Sequence, residues 1–156
     1  LGFADSLSAS AAQLPILLVW NNLTDGQKEL LDNLEGNKLY VIGGESAVSS
    51  GMEEQLKAYG EVARVAGGNR FETSVAIAET FFDGPESAVL AYAWNFPDGL
   101  CGGPLATTMD APLILTMDKF EAKAADYIRS RNIDTGIILG GTNSISNETA
   151  NRVFGN

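Results

Sequence analysis

Histidine is absent from the 156 residues, and cysteine occurs once, at Cys101. Without an imidazole, neither a Ser-His-Asp nor a Cys-His nucleophilic system can be built. One thiol and no histidine also exclude the usual zinc sites, and no disulfide can form within the chain. Basic residues are scarce: ten against twenty acids, for a formal charge of −10. A general phosphate-backbone binder needs a basic surface, so neither nucleic acid nor an anionic membrane is expected as a partner. Apolar runs are short, as at Ile16 to Trp20, far from the ~20 residues that cross a bilayer as a helix. Neither a P-loop nor a Gly-x-Gly-x-x-Gly fingerprint is present, and no cofactor or metal is expected. The opening Leu1-Gly2-Phe3-Ala4-Asp5 has no methionine and no basic n-region, and reads as the interior of something longer.

What the chain does contain is itself, twice. Pro15-Ile16-Leu17-Leu18 matches Pro112-Leu113-Ile114-Leu115, 97 positions on. At the same offset Val41-Ile42-Gly43-Gly44 meets Ile138-Leu139-Gly140-Gly141, and Ala47-Val48-Ser49 meets Ser144-Ile145-Ser146. Upstream, Phe3-Ala4-Asp5-Ser6-Leu7 matches Phe96-Pro97-Asp98-Gly99-Leu100 at an offset of 93, so the first copy is four residues shorter there. A repeat of this length exceeds the usual solenoid units and points to domain duplication.

Short apolar runs alternate with amphipathic stretches. Strands are predicted at 15–19, 38–42, 61–66, 87–93, 112–116 and 136–139. Helices are predicted from Thr24, with Leu30, Leu31 and Leu34 inward, and from a Ser50/Glu53 capping box with Met52, Leu56 and Tyr59 on one face. Further helices cover 71–82, 97–109, 120–129 and 146–154, with Cys101 expected to be buried. Alternation of this kind predicts an α/β fold, with parallel sheets flanked by helices. The turn at Tyr59-Gly60-Glu61 is the best boundary between copies.

Three polar clusters are candidate sites. The Gly-Gly turns, followed by Ser46 and Ser49 in the first copy, present amides that suit a phosphate or carboxylate; a tight turn plus a helix cap would need the same residues. Arg64, Asn69 and Arg70 sit in the densest polar segment. Arginine can fork onto a carboxylate or phosphate of a ligand, or Arg70 can pair with an acid such as Asp98 between repeats. Asn95 and Asp98 open a helix, where an acid is favoured by the dipole and where an ion or sugar contact is the other reading. Acids are plentiful, but spacing alone does not set two of them across a cleft as glycoside hydrolysis requires.

Arg64-Val65-Ala66-Gly67-Gly68-Asn69-Arg70-Phe71-Glu72-Thr73-Ser74 resembles the opening motif of the cell wall binding repeat 2 (CWB2) family of Gram-positive surface proteins. Asn95-Phe96-Pro97-Asp98-Gly99-Leu100, Ala111-Pro112-Leu113-Ile114-Leu115-Thr116 and Leu139-Gly140-Gly141-Thr142-Asn143-Ser144-Ile145-Ser146 resemble its following motifs, in order. In that frame residues 1–60 are the latter part of one repeat and 61–156 a second, nearly complete one. The resemblance implies Rossmann- or Toprim-like tandem repeats, usually three, packed about a pseudo-threefold. It implies a non-catalytic module that holds a secreted protein non-covalently on an anionic secondary wall polysaccharide at the cell surface. Its Pro-Ile-Leu-Leu stretch is associated with anchoring; the residues themselves read as core strand. The competing expectations are an assembly module for surface-layer packing and a wall hydrolase such as an amidase.

Overall fold

The computed structural model describes residues 3–34, 38–94 and 97–155. Its element order is α1 (Ala4–Ala9), a 3-10 turn (Ser10–Ala12), α2 (Asp25–Asp32), β1 (Lys38–Ile42), α3 (Ser50–Leu56), β2 (Glu61–Val65), α4 (Arg70–Phe81) and β3 (Ser87–Tyr92). There follow α5 (Pro97–Leu100), α6 (Gly102–Thr108), β4 (Leu113–Thr116), α7 (Ala122–Ser130), β5 (Thr135–Leu139) and α8 (Asn147–Phe154). Strands β1 and β2 form one parallel sheet, and β4-β3-β5 a second. The fold is α/β, as alternation required.

Strands β3 and β4 of the second sheet are covered on both faces, which is why they carry no polar alternation; the edge strand β5 is more exposed. Ala88 and Leu90 of β3 face a cluster with Ile114, Ala124, Ile128, Ile145 and Val153. Val89 and Ala91 face the opposite cluster, with Phe71, Phe82, Ala106, Leu113 and Leu115. Helix α4 lies between the two sheets. Its Ala78 packs on the second sheet, while Ile77 and Phe81 pack beside Tyr40, Ile42 and Val65 of the first.

The helix starts follow local chemistry. Thr24 and Gln27 form a reciprocal capping box for α2, satisfying two otherwise orphaned amides. For α3 the cap is Ser49, accepting from Met52 N at 3.2 Å, so the helix opens one residue earlier than the Ser50/Glu53 reading placed it. Ser146 caps α8 in the same way, through Thr149 N at 3.2 Å.

Four expectations are corrected. Pro15–Trp20 forms no strand: among the described residues it has no ladder, and Ile16 and Leu18 are exposed. Its match at 112–116 is a fully buried strand. Leu30 and Leu34 point outward, leaving Leu31 as the buried contact of α2. The helix expected over 97–109 breaks at Cys101. A Cβ on Gly102 would stand 2.7 Å from Leu139 Cδ1, and one on Gly103 2.0 Å from Ser10 Oγ, so the glycine pair lets α6 press against the sheet and the 3-10 turn. Cys101 at that break is exposed, its Sγ 3.2 Å from Asp98 O.

Candidate functional site

In a parallel sheet all the loops that follow strands emerge at one edge, where open α/β folds gather ligands. Here those loops are Gly43-Gly44 after β1, Gly67-Gly68 after β2, Ala93-Trp94 after β3, Met117-Asp118 after β4 and Gly140-Gly141 after β5. The two copies build their Gly-Gly turns alike. Gly43 has φ +101° and Gly140 φ +102°, a region closed to most side chains. Ala47 N and Val48 N donate to Gly44 O; Ser144 N and Ile145 N donate to Gly141 O. An aspartate seals each turn: a Cβ on Gly43 would lie 2.5 Å from Asp5 Oδ2, and one on Gly140 2.7 Å from Asp98 Oδ2. Asp5 and Asp98 are thus equivalent groups, each at a helix start beneath its own glycine turn.

Arg70 stands at the start of α4, where the loops of the two sheets approach. Its Nη1 donates to Ala93 O at 2.7 Å, and its guanidinium carbon lies 4.0 Å from the centroid of the Trp94 ring. Trp94 is 57% exposed, and its Nε1 donates to Met117 Sδ at 2.8 Å. A guanidinium over an indole is held by the ring's negative face, worth ~0.5–2 kcal/mol. Burial pushes the Asp5 carboxyl above the ordinary aspartate range, and the Arg70 charge opposes that shift. The arrangement therefore offers a fixed cation, an aromatic ledge and a half-buried carboxyl. Such a surface suits recognition of an anionic or polyhydroxylated ligand, with no nucleophile–base pair among its members.

The candidate residues are distributed as follows. Arg70 is central. Asp98 packs on Gly140, and Asp5 feels the Arg70 charge. Arg64 is engaged internally: Nε and Nη2 reach Glu53 Oε2 at 2.9 and 2.6 Å, and Nη1 reaches Gly43 O at 2.6 Å. Asn69 caps α4, accepting from Phe71 N and Glu72 N at 3.0 Å. Ser49 caps α3, and Ser46 is exposed in the preceding turn. Asn95 lies outside the described residues. No motif marks Trp94 or Met117; the one local signal for Trp94 is an indole directly after an apolar strand, one residue before the Asn95-Phe96-Pro97-Asp98 motif.

A second polar cluster ties β4 to α8. Asp118 accepts from Ser146 N, Ser146 Oγ and Thr149 Oγ1 at 3.2, 2.9 and 2.6 Å. These bonds hold its carboxyl below the ordinary aspartate range. Arg152 bridges Glu121 and Glu148 at 2.6 and 2.5 Å, lowering the Glu121 pKa as well. Every member has a local partner, so this cluster reads as a brace.

Among the described residues no group of three or more acids and thiols could hold a metal ion, and no helix is long and apolar enough to cross a membrane. The family model described as "Cell wall binding domain 2 (CWB2)" matches residues 1–53 and 64–150. The chain is 28% identical to "N-acetylmuramoyl-L-alanine amidase LytC" of Bacillus subtilis (strain 168), covering 97% of this chain and 32% of that protein. It is 27% identical to "Amidase enhancer" of the same organism, over 93% of this chain and 20% of that protein. The chain therefore spans a third or less of the length of these relatives. Among solved structures, "Cwp8 from Clostridium difficile" superposes with a TM-score of 0.82 at 31% identity, covering 97% of this chain and 27% of that one. "Cwp6 from Clostridium difficile" shares the fold, with a TM-score of 0.76 at 24% identity over 96% of this chain and 26% of that one. A two-part family match over most of the chain, on a fold shared with these structures, establishes that this chain belongs to the cell wall binding domain 2 family.

Proposed function

We propose that this chain is an anchoring module that holds a secreted surface protein non-covalently on an anionic secondary polysaccharide of a Gram-positive wall, without a chemical step of its own. Residues 1–60 serve as the latter part of one repeat and 61–156 as a second, and neighbouring repeats of the same protein, three in all, are its natural partners. The observation that carries the reading is Arg70, held by Ala93 O and laid over the exposed indole of Trp94. A net charge of −10 repels an anionic polymer at long range. Attraction must therefore be local, and Arg70 is a cation positioned where strand-end loops converge. Its fork suits a phosphate or carboxylate, while Trp94 offers an apolar ledge to a sugar ring.

Co-sedimentation with purified Gram-positive walls, before and after extraction of their anionic polymer, tests this. Retention on intact walls that falls on extraction, and that weakens with added salt, is the expected result. Equal retention on extracted walls would contradict it. The exposed apolar side chains of Ile16 and Leu18 support packing against neighbouring repeats as a second role. Release of sugar or peptide from the walls during incubation would instead favour a hydrolase.

A further inference from the structure

We infer that the outer edge of β5 is a docking site for the strand that opens a further repeat, received in parallel, so that successive repeats are interlocked by shared sheets. This does not depend on the polymer reading. Strands β1 and β5 are counterparts, 97 positions apart, and end at glycines with the same positive φ. Strand β5 pairs with β3 on one edge, and among the described residues its other edge has no ladder. The corresponding edge of β1 is occupied. Its partner is β2, in the register Lys38↔Glu61 to Ile42↔Val65. Yet β2 lies beyond the 60/61 boundary: by sequence it opens the second copy, while by pairing it completes the sheet of the first.

The β1–β2 junction shows what the edge of β5 accepts. The ladder runs into the glycine turn, where Gly43 N donates to Val65 O at 2.9 Å. Arg64, fourth residue of β2, reaches back to Gly43 O at 2.6 Å. Helix α4 then follows, and its Phe81 ring meets Tyr40 edge-on at 4.8 Å between centroids. At β5 the matching surface is bare: Thr135 and Gly136 are exposed, and Ile137, the counterpart of Tyr40, is 37% exposed. Edge strands left in water are commonly guarded by a charge or a proline. Thr135-Gly136-Ile137-Ile138-Leu139 has neither. The occupant is thus an extended segment of the Glu-Val-Ala-Arg-Val kind, with arginine fourth to reach Gly140 O, continuing through a glycine pair into a helix that covers Ile137. Its source is a repeat joined after this one in a longer polypeptide. The β2 of a second copy already has its pairing edge on its own β1.

The test compares the chain with a version extended at its C-terminus by a duplicate of Glu61–Phe81, placed at the 97-residue spacing. Amide hydrogen exchange is read at Gly136, Ile138 and Gly140, the counterparts of Leu39, Val41 and Gly43, whose side of the strand faces the partner. The amides of Leu39 and Val41 report that the fold is intact. We expect exchange at the three β5 amides to slow at least tenfold in the extended chain, which stays monomeric. Ala63→Pro, made in the appended strand alone, should restore fast exchange by removing a ladder donor. A synthetic peptide of residues 61–81, added to the unextended chain, should reproduce the protection. Unchanged β5 exchange in the folded extended chain would overturn the inference. So would protection in the unextended chain that grows with its concentration as a dimer forms, because a second copy would then be the occupant.

Discussion

Residues 15–19 and 112–116 carry nearly the same apolar pattern and end in different structures. Leu113 and Leu115 are 1% and 2% exposed within β4, whereas their counterparts Ile16 and Leu18 are 47% and 71% exposed in a strandless segment. Local sequence does not explain the contrast. Leu113 and Leu115 are covered by Phe71 of α4, Ala106 of α6 and Val89 and Ala91 of β3. Strand β4 pairs with β3, and among the described residues no strand pairs with Pro15–Trp20. An apolar pentapeptide becomes a strand when another strand offers it a ladder; without one, residues 15–19 stay strandless, although Leu17 and Val19 still pack against the cluster of Leu23, Leu31, Val41, Met52 and Leu56.

Truncating the same apolar position in both copies should give very different losses of stability. Leu115→Ala should cost ~2–5 kcal/mol of unfolding free energy, as for other large-to-small core changes. Leu18→Ala should fall within about 0.5 kcal/mol, as for exposed sites. Urea denaturation measures both, and equal losses would show that residues 15–19 pack like a core strand after all.

The glycine turns sharpen it from the other side, since there the copies agree. Gly43→Ala and Gly140→Ala each place a Cβ at positive φ and within 2.5 and 2.7 Å of an aspartate oxygen. Each should cost about 1–3 kcal/mol, and the two values should match closely. A large disparity in thermal or urea unfolding would mean that the turns are alike in shape but not in strain.

The caps come next. Ser49→Ala and Ser146→Ala each remove an N-cap worth about 1 kcal/mol. Ser146→Ala should cost more, because its hydroxyl also donates to Asp118. The first copy has Asn21 where the second has Asp118, and this makes the two copies differ in acid. The folded-state pKa of Asp118 lies below its unfolded value. Its contribution to stability is therefore complete above the unfolded pKa and is lost as pH falls through the folded one. Asp118→Asn should remove that part of the acid sensitivity, and an unchanged stability–pH profile would remove the brace from the account.

The smallest expected effect is at Asp5, whose pKa is raised. The sign is opposite: Asp5 favours the folded state below its unfolded pKa, and that contribution is lost as pH rises through its folded pKa. Arg70→Ala takes away the opposing charge, so the Asp5 carboxyl should titrate at higher pH still. Carboxyl-resolved NMR titration reads this directly, and a downward move would contradict the proximity of the two groups.

Much of the architecture was legible because it is local. Strand β1 was marked by its apolar run and the glycines that stop it, and α2 by the Thr24/Gln27 box. The misreadings have tertiary causes. Leu30 looks inward on a helical wheel, but α2 offers only Leu31 to its core cluster. Cys101 sits amid small residues that suggest burial, yet the helix breaks there because Gly102 and Gly103 must approach Leu139 and Ser10. At the candidate site Arg70 was visible as a rare cation in a polar motif. Trp94 was not, because its contact with Arg70 joins the loops of two different sheets. No spacing rule connects residues 70 and 94. For the same reason no spacing pointed to Asp5, whose carboxyl feels the Arg70 charge in the fold.

The proposed anchoring role rests on Arg70 and Trp94, where loops of the two sheets meet. Isothermal titration of the folded chain with isolated anionic wall polymer tests it most directly, with Arg70→Ala and Trp94→Ala measured beside the parent and their folds checked by circular dichroism. Each variant should lose at least tenfold in affinity while the fold remains. Parent-like affinity in a folded Arg70→Ala protein would contradict it.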